Sequence, residues 1–387
     1  MKKVLFVSNV LSHIYAFHLP YLKYFYDKGW KVYIMTNAGD EYDGKLPPCC
    51  DGLHNIKIAR SPFNIMNICA LKKAKKIIEA EKYDIVHCHT PMGGVIGRLA
   101  SKKIRKSGSR VLYTAHGFHF YKGAPAINWM LYFTMEKYLS NMTDCIITIN
   151  KEDFHRAQKH FGSIRTNIEY ISGIGVNVDQ FKPASIEEKA LLKQQAGYAG
   201  HFLLIYAAEF IPRKNHRFFI ENIRGLIDTC PDVKVLFAGK GKLSEQMKQL
   251  AKQNNVSEYI DFLGFRKDLP VLLKMCDIII SASIEEGFGI NVVEGMSAGL
   301  PAVASVVRGH KEMVSDGING YLFGVNDPAD FCRKIRFFYE NKERYASFSA
   351  AARETAERFS IADSLIQMSR IYEKYECELL EEICINH

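Results

Sequence analysis

The chain contains no long apolar run, no paired cysteine spacing and no low-complexity segment. None of its hydrophobic stretches approaches the ~18 residues that a membrane-spanning helix requires. Ten cysteines are scattered over 387 residues, mostly inside apolar runs, which argues against a secreted disulfide framework and predicts a reducing, cytoplasmic setting. With 48% hydrophobic and 24% charged residues, the composition is that of a globular protein rather than a disordered or fibrous one.

Two ligand motifs are also missing. The segment "SNVLSH", which follows the first apolar run, lacks the Gly-x-Gly-x-x-Gly turn of dinucleotide-binding proteins, and this argues against a nicotinamide-dependent dehydrogenase. No Asp-x-Asp motif follows a strand-like run. His87 and His89 form "HCH", but no partner pair stands at metal-site spacing. The sequence therefore predicts that the protein needs no metal and no resident cofactor.

Positive charge is concentrated in the first half of the chain. Residues 1–172 carry 25 Lys and Arg against 13 Asp and Glu, whereas the remainder carries 26 against 29. Much of the excess lies in "KKAKK" (72–76) and "KKIRKSGSR" (102–110). Such a face is either simply solvated or attracts an anionic partner: a membrane surface, a diphosphate-bearing substrate or nucleic acid. A nucleic-acid binder would show a steep salt dependence of affinity, and it would have no need for the acidic pair described below.

Short β-branched runs alternate with amphipathic segments along the whole chain, which is typical of parallel βαβ units. The predicted strands fall into two sets, 3–8, 31–36, 83–89, 110–116, 145–150 and 167–172, then 202–210, 234–241, 259–265, 276–283, 300–305 and 320–323. Between the sets, "GIGVNVDQFKP" (173–183) reads as a connection. We therefore predict an α/β protein with domains at 1–172 and 173–359 that face each other across a cleft. A C-terminal helix at 360–387 is expected to pack back on the first domain.

The stretch "EEGFGINVVEG" (285–295) places two carboxylates, Glu286 and Glu294, around a glycine-containing turn that opens a helix. A helix start binds anions, because its first amides are unpaired and the positive end of the dipole points the same way. Carboxylates accept hydrogen bonds from paired hydroxyls. The pattern thus suits a ligand with phosphates between hydroxyl-bearing ends, such as a nucleoside diphosphate sugar. The alternative is that both glutamates only complement the helix dipole, worth about 0.3–1 kcal/mol each.

The longer stretch "SASIEEGFGINVVEGMSAGLPAVAS" (281–305) resembles the signature of the retaining glycosyltransferases of family 4, which have the two-domain GT-B fold with Rossmann-like domains. "AGKG" (238–241), "DFLGF" (261–265) and "GINGYLF" (317–323) match in the same order, so the resemblance covers nearly the whole chain. It implies that Glu286 contacts the transferred sugar and that Glu294 holds the ribose hydroxyls. The other donor-binding candidates in the matching segments are Gly239, Phe265, Gly287, Phe288, Gly289 and Ile290.

The donor diphosphate is expected at "AAEFIPRKNH" (207–216). The resembling family usually has Gly-Arg-x-x-x-x-x-Lys here, with both cations on the diphosphate. Lys214 matches the lysine, but Glu209 stands in the arginine position. A subgroup that assembles cell-surface polysaccharides is similar in having Glu there, followed by Lys-Asn-His. We expect Arg213 or a group from the first domain to supply the missing positive charge.

The first domain is expected to supply the acceptor side. In "YTAHGFHFYKGAP" (113–125), His116 ends a predicted strand before a glycine turn, and the matching histidine of the resembling family contacts the donor sugar. The loop after the first strand lacks the Gly-Gly that is common in that family. By their positions after predicted strands, the further acceptor-side candidates are His13, Phe17, His18, Gly93 and His119.

Neither a nucleophile nor an acid/base pair stands out, which suits a retaining transfer driven by positioning and electrostatics. The resemblance implies transfer of a hexose or N-acetylhexosamine from a UDP-sugar to a polyprenyl-diphosphate-linked saccharide in capsule, exopolysaccharide or O-antigen assembly. The expected catalytic residues are His116, Lys214 and Glu286. The expected location is the inner face of the cell membrane, with no nucleic-acid partner. Two alternatives remain: an epimerase-like sugar-nucleotide enzyme, and a transferase with a soluble acceptor.

Overall fold

The computed structural model describes residues 1–39 and 42–385, and it divides into two compact units. The first unit comprises Met1–Gly175 together with the chain from Ala362, and the second comprises Val176–Ile361. The boundary falls inside the segment 173–183, three residues after the sequence-based boundary. Each unit has its own hydrophobic core.

The first unit contains a seven-stranded sheet in the order β3-β2-β1-β4-β5-β6-β7, in which every paired strand is parallel. Its strands are β1 (Lys3–Val7), β2 (Lys31–Thr36), β3 (Gly52–Asn55), β4 (Ile85–His89), β5 (Arg110–Ala115), β6 (Cys145–Thr148) and β7 (Asn167–Tyr170). Its helices are α1 (Leu11–Phe17), α2 (Leu19–Asp27), α3 (Met66–Glu81), α4 (Pro91–Ala100), α5 (Lys102–Arg105), α6 (Ala126–Asn128), α7 (Thr134–Ser140) and α8 (Lys151–His160), with a π-helix at Trp129–Phe133.

The second unit contains a six-stranded parallel sheet in the order β10-β9-β8-β11-β12-β13. Its strands are β8 (Phe202–Ala207), β9 (Val233–Ala238), β10 (Ile260–Gly264), β11 (Ile278–Ser281), β12 (Ala302–Ser305) and β13 (Gly320–Phe323). Its helices are α9 (Ile186–Gln195), α10 (His216–Asn222), α11 (Arg224–Ile227), α12 (Ser244–Gln253), α13 (Leu269–Met275), α14 (Ile290–Ser297), α15 (His310–Met313), α16 (Pro328–Glu340) and α17 (Tyr345–Glu357).

The last helix, α18 (Ile361–Ile385), starts at the unit boundary and packs against the first sheet. The hydroxyl of Tyr372 lies 2.8 Å from Nδ1 of His87 in β4, and Asn167 donates to the hydroxyl of Tyr375 at 2.9 Å. Tyr372 and Tyr375 are fully buried there. Aromatic side chains of α18 therefore complete the core of a unit whose preceding element, β7, ends at Tyr170.

The strand order predicts where ligands bind in each unit. In both sheets the order reverses beside the first strand, between β1 and β4 and between β8 and β11. Ligands of open α/β sheets bind at such a switch point, outside the carboxyl ends of the strands. The relevant loops are therefore those after β1 and β4 in the first unit and those after β8 and β11 in the second. The loops after the next strands, β5 and β12, lie beside them.

The two α/β domains with parallel sheets predicted from the sequence are confirmed, and all twelve predicted strands are present. The sequence reading missed one strand, β3, a four-residue edge strand without apolar alternation. The helical segment from Ala126 to Ser140 contains a π-helical turn in its middle. Within the described part of the chain, no helix is long and apolar enough to cross a bilayer.

Candidate functional site

The loops after β8 and β11 bring together three charged side chains. The ammonium group of Lys214 forms a close ion pair with Oε2 of Glu286, and Nη1 of Arg213 lies 3.5 Å from Oε1 of the same carboxylate. Lys214 and Glu286 are largely buried, each with 12% of its side chain exposed, whereas the Arg213 side chain is 45% exposed. Arg213 therefore stands beside Lys214, the predicted phosphate-binding lysine, while Glu209 is exposed to solvent.

Opposing effects set the ionisation state of Glu286. Burial raises the pKa of its carboxyl, but the positive charges of Lys214 and Arg213 outweigh burial, so the pKa ends below its ordinary value. Glu286 is therefore an anion at neutral pH. Since the pair is partly shielded from water, its attraction is stronger than that of a surface ion pair. The site thus holds two cations and an anion that a ligand could separate.

Buried hydroxyls fix the two loops to each other. The hydroxyl of Tyr206, in β8, donates to the backbone oxygen of Lys214 at 2.8 Å and lies 3.0 Å from Oγ of Ser283. The amide of Ile284 donates to the backbone oxygen of Arg213 at 2.9 Å. Ser305, at the end of β12, donates to the backbone oxygen of Ser283 at 2.6 Å. The charged residues thus stand on loops that rigid strands position.

The turn that opens α14 depends on two glycines. Gly289 has a φ of +100°, in the left-handed region that other residues rarely adopt, and no side chain caps the helix start behind it. Gly309 lies against the same turn, and its amide donates to the backbone oxygen of Glu286 at 3.0 Å. A Cβ on Gly309 would stand 2.6 Å from the backbone oxygen of Phe288. Close backbone packing, rather than flexibility, therefore sets the position of Glu286.

Glu294 lies one turn into α14 and is half-buried. Burial raises the pKa of its carboxyl to about 7. In the ligand-free protein the group is therefore partly protonated at neutral pH. Donated hydrogen bonds from a bound ligand would favour the ionised form and lower this pKa.

The raised pKa of Glu294 makes folding stability depend on pH. Because the folded-state pKa lies above the unfolded-state value, the carboxyl contributes stability below pH 4.5, and this contribution is lost as the pH rises through about 7. We expect Glu294→Gln to remove this loss. When the pH is raised from 5 to 8, the stability difference between the variant and wild type should therefore grow by about 2–3 kcal/mol in favour of the variant.

Urea unfolding of both ligand-free proteins, followed by far-UV circular dichroism at pH 5 and pH 8, measures this difference. The matched control is Glu245→Gln, an exposed glutamate in α12, whose stability should stay within about 0.5 kcal/mol of wild type at both pH values. A Glu294→Gln variant whose pH dependence runs parallel to wild type contradicts the raised pKa.

The remaining donor-side candidates differ in their exposure and in what they pack against. Gly239 and Gly241 pack against the loop after β8, where a Cβ on Gly239 would stand 2.0 Å from the backbone oxygen of Ala208. Phe265 is 64% exposed, whereas Phe288 is buried and its ring packs against Phe359 at 5.4 Å between centroids. Gly287 lies in the turn and Ile290 is the first residue of α14. Any role of Phe288 at a ligand would therefore involve its backbone.

Sequence reasoning missed two side chains of this site, His310 and Asn291. Nδ1 of His310 lies 2.8 Å from the backbone oxygen of Ser305, while Nε2 is buried and has no hydrogen-bond partner among the described residues. Burial lowers the pKa of His310 to about 4, so the ring is neutral. Nδ2 of Asn291, in the first turn of α14, is likewise buried and unpartnered within the described chain. His310 follows strand β12, and the reasoning that selected His116 after β5 would have found it.

In the first unit, the loops after β1, β4 and β5 bring four histidines together. The rings of His18 and His89 stack with centroids 3.8 Å apart, and the rings of His13 and His116 meet edge-on at 4.6 Å. Nε2 of His18 lies 3.0 Å from Nδ1 of His13. This group, His13, His18, His89 and His116, is called the histidine cluster below.

Burial governs the charge of the histidine cluster. It lowers the pKa of His13 to about 4 and holds the pKa values of His18, His89 and His116 well below their ordinary range. All four rings are therefore neutral at neutral pH. His87, the first histidine of "HCH", lies outside the cluster chemically, because Tyr372 and Thr114 each stand 2.8 Å from one of its ring nitrogens.

The other acceptor-side candidates lie around the cluster or beyond it. The ring of Phe17 packs edge-on against His13 at 5.0 Å. Gly93 lies in the first turn of α4, where a Cβ would stand 2.9 Å from Cα of Ser8, so close packing requires a glycine there. His119 pairs with the ring of Tyr132 at 4.8 Å and is not in the cluster.

Family comparisons match both units of the chain. Residues 188–355 match the family described as glycosyl transferases group 1, and residues 3–150 match the glycosyl transferase 4-like family. The chain is 43% identical over 375 residues to EpsD of Bacillus subtilis (strain 168), a protein assigned to the glycosyltransferases, with 97% of each chain covered. It is 28% identical over 299 residues to the UDP-Gal:alpha-D-GlcNAc-diphosphoundecaprenol alpha-1,3-galactosyltransferase of Escherichia coli, covering 75% of this chain and 73% of that one.

Solved structures support the fold. The chain resembles Anabaena Alr3699/HepE, whose crystal structure contains UDP and glucose, with a TM-score of 0.76 at 21% identity, covering 97% of this chain and all of that one. The likeness, together with the two parallel sheets, confirms the predicted GT-B fold class. Given both matched regions and the 43% identical relative, the chain belongs to the group 1 glycosyltransferases.

Proposed function

We propose that the protein transfers a hexose or N-acetylhexosamine, with retention of configuration, from a UDP-sugar to a polyprenyl-diphosphate-linked saccharide in exopolysaccharide assembly. The observation that carries the donor half of this proposal is the grouping of Lys214 and Arg213 on Glu286 at the switch point of the second sheet. The acceptor half is supported by the similarity to the Escherichia coli galactosyltransferase, whose acceptor is a diphosphoundecaprenol-linked sugar.

In the proposed complex the donor diphosphate takes over the cations. Lys214 and Arg213 turn from Glu286 to the phosphate oxygens, with the start of α14 adding amide donors. Glu286 is thereby freed to accept hydrogen bonds from hydroxyls of the transferred sugar. Glu294 accepts from the ribose hydroxyls and becomes fully ionised. Because two cations are available for the diphosphate, this step needs no metal.

The proposed reaction breaks the bond between the sugar's anomeric carbon and the diphosphate oxygen. The acceptor hydroxyl attacks the same face of the sugar, and its proton passes to the departing phosphate oxygen. Negative charge grows on the diphosphate as the bond breaks, so fixed cations in a shielded site stabilise the transition state more than the ground state. On the first unit, His116 is assigned to the sugar side, with His13, Phe17, His18, Gly93 and His119 on the acceptor side.

A basic and apolar face of the first unit supports a membrane-bound acceptor. The lysines of α3 and α5 are exposed and lie on neighbouring helices, since Nζ of Lys103 is 3.4 Å from Oε2 of Glu79. Just before and within the first turn of α3, Phe63, Ile65 and Ile68 expose apolar side chains, with 77% of Phe63 accessible. Basic residues beside exposed apolar groups are typical of surfaces that dock on anionic bilayers. This face supports the proposed location at the inner face of the cell membrane.

Removing two lysines of this face should weaken vesicle binding. We expect Lys102→Ser/Lys106→Ser to reduce affinity for vesicles containing phosphatidylglycerol roughly 10- to 30-fold at low salt, at about 1 kcal/mol per lysine. Arg105 must be kept, because its guanidinium bonds Asp144 at 3.0 Å and backbone oxygens. Vesicle co-sedimentation measures the change.

The matched control is Lys248→Ser/Lys252→Ser, which removes two exposed lysines from α12 of the second unit. It should leave vesicle binding unchanged, and both double variants should keep wild-type affinity for UDP. Equal vesicle binding by wild type and Lys102→Ser/Lys106→Ser argues against the membrane-facing role.

The proposed function is tested by ligand stabilisation and by product formation. Saturating UDP should raise the Tm, because a ligand that binds only the folded state stabilises it, whereas NADH should not. A panel of UDP- and GDP-sugars offered with short lipid-diphosphate saccharides should then yield an extended lipid product in one combination. Stabilisation by NADH alone would overturn the donor assignment, and turnover only with soluble acceptors would overturn the acceptor assignment.

A further inference from the structure

The histidine cluster contains three rings whose nitrogens converge. One ring nitrogen from each of His13, His18 and His116 lies within 4.8 Å of the other two. His13 belongs to α1, His18 joins α1 to α2, and His116 follows β5. The three donors therefore come from two separate segments, one after β1 and one after β5, at the carboxyl ends of the first sheet's strands, where open α/β sheets bind ligands.

The cluster leaves buried polar atoms without hydrogen bonds. Nδ1 of His18, Nε2 of His116 and both ring nitrogens of His89 are buried and have no hydrogen-bond partner among the described residues. His18 and His89 are almost completely buried, with 1% and 0% exposed. Buried polar groups are nearly always paired, so each exception calls for an explanation such as a bound ion. Two of these nitrogens, on His18 and His116, belong to rings of the converging set, so hydrogen bonds among the described residues do not satisfy the cluster.

We propose that His13, His18 and His116 form a binding site for a transition-metal cation of the Zn²⁺ type. Neutral imidazoles coordinate Zn²⁺ through nitrogen at about 2.0–2.1 Å, which puts the nitrogens of a tetrahedral site roughly 3.4 Å apart. Nε2 of His18 and Nδ1 of His13 stand 3.0 Å apart in a hydrogen bond that a bound cation would replace. One ring nitrogen of His116 lies within 4.8 Å of a ring nitrogen of each. The set contains no carboxylate, which favours Zn²⁺ over Mg²⁺ or Ca²⁺.

Three imidazoles leave the fourth position of a tetrahedral zinc without a ligand from the described residues. An open fourth position is the pattern of zinc sites that bind water or another oxygen ligand, rather than of closed structural sites. The unpartnered ring of His89 stacks on His18 and so adds a further polar group to the cluster. The site is therefore suited to hold a cation together with an oxygen donor.

The inference stands on geometry alone and does not need the proposed function. One consequence does rest on the proposed function: a His116 ring that coordinates Zn²⁺ is not free to contact the transferred sugar. Where that assignment holds, sugar transfer is inhibited at the Zn²⁺ concentrations that fill the site. The cations assigned to the donor diphosphate lie in the second unit and are not part of this site.

The test measures metal binding by the full-length, metal-stripped protein. Isothermal titration with Zn²⁺ should give one equivalent per chain, and Co²⁺ should produce the visible absorption of a tetrahedral site. Changing a residue that only supports a metal ligand typically lowers metal affinity about 10–100-fold. His13→Ala removes a ligand itself, so it should lower Zn²⁺ affinity by more than that. Since His13 is only half-buried, this variant should still fold, which a matching circular dichroism spectrum and Tm would show.

Two further variants make the result specific. His13→Cys keeps a zinc ligand at the same position, so it should retain binding and add a sulfur-to-Co²⁺ charge-transfer band. His155→Ala removes an exposed histidine of α8 and should leave binding unchanged. Failure of wild type to bind Zn²⁺ stoichiometrically, or equal affinity in His13→Ala, overturns the site. Stoichiometric binding without inhibition of transfer instead overturns the role assigned to His116, and leaves the metal site standing.

Discussion

Replacing Lys214 by alanine is expected to lower kcat about 10²–10³-fold, the effect of removing one preorganised charge-stabilising group from an active site. The physical reason is that Lys214 is a largely buried cation beside the start of α14, where the diphosphate charge of the proposed donor would grow. Its contribution should be larger in the transition state than in the ground state, so kcat should fall more than the affinity for UDP. Steady-state rates at saturating donor and acceptor, with UDP affinity measured separately, check this.

Loss of Lys214 also leaves Glu286 with a single ion-pair partner among the described residues, Arg213 at 3.5 Å. A structural explanation for lower activity must therefore be excluded, by comparing the Tm of the variant and of wild type. The matched control is Arg217→Ala. Arg217 is the second residue of α10 and is an exposed cation paired with Glu221, so this variant should retain wild-type turnover. Turnover near wild type in Lys214→Ala would contradict the assigned role.

Most of the fold could be predicted because its signals are local. Each strand at the centre of a parallel sheet is buried on both faces and reads as a continuous run, such as "KVLFV" or "IIIS". The edge strand β3, "GLHN", has no such run, since one of its sides is unpaired and its side chains are at most half-buried. Its position depends on pairing with β2, which is information the segment itself does not contain.

The candidate site was predictable to the extent that it follows strand ends. Lys214 and Glu286 lie in the loops after β8 and β11, and the neighbouring strands bring them into contact. Proximity across the sequence was not predictable. The convergence of His13 and His18 with His116 arises because β1, β4 and β5 are neighbours, while spacing along the chain offered only "HCH" as a metal candidate. The expectation of a metal-independent donor reaction stays a prediction.

Environment-dependent properties lay beyond the sequence as well. Glu286 and Glu294 are chemically the same residue eight positions apart, yet the pKa of one is lowered and that of the other is raised to about 7. The difference arises from Lys214 and Arg213, which reach Glu286 from another loop, whereas burial alone acts on Glu294. The two glutamates of one motif thus differ in ionisation at neutral pH: Glu286 is ionised, and Glu294 is partly protonated.

The largest effect on stability is expected at a buried ion pair in the first unit. Arg98 of α4 is fully buried and binds Glu136 of α7 with both terminal nitrogens, at 2.7 and 3.0 Å. Its Nε donates to the backbone oxygen of Gly94, and its guanidinium stacks on the ring of Tyr113 at 3.9 Å. Glu136→Leu would leave the guanidinium charge buried without its anion. We expect a loss of about 3–5 kcal/mol in the free energy of unfolding.

Tryptophan fluorescence during urea unfolding measures this loss selectively, because both tryptophans of the chain, Trp30 and Trp129, lie in the first unit. The double variant Arg98→Met/Glu136→Leu should recover most of the stability, since it removes the stranded charge together with its partner. Asp27→Ala, which breaks an exposed pair with Lys23, should cost no more than about 1 kcal/mol. A loss from Glu136→Leu no larger than that from Asp27→Ala would mean that the Arg98 guanidinium is hydrated in the variant. The Arg98–Glu136 pair would then not be what holds α7 against α4.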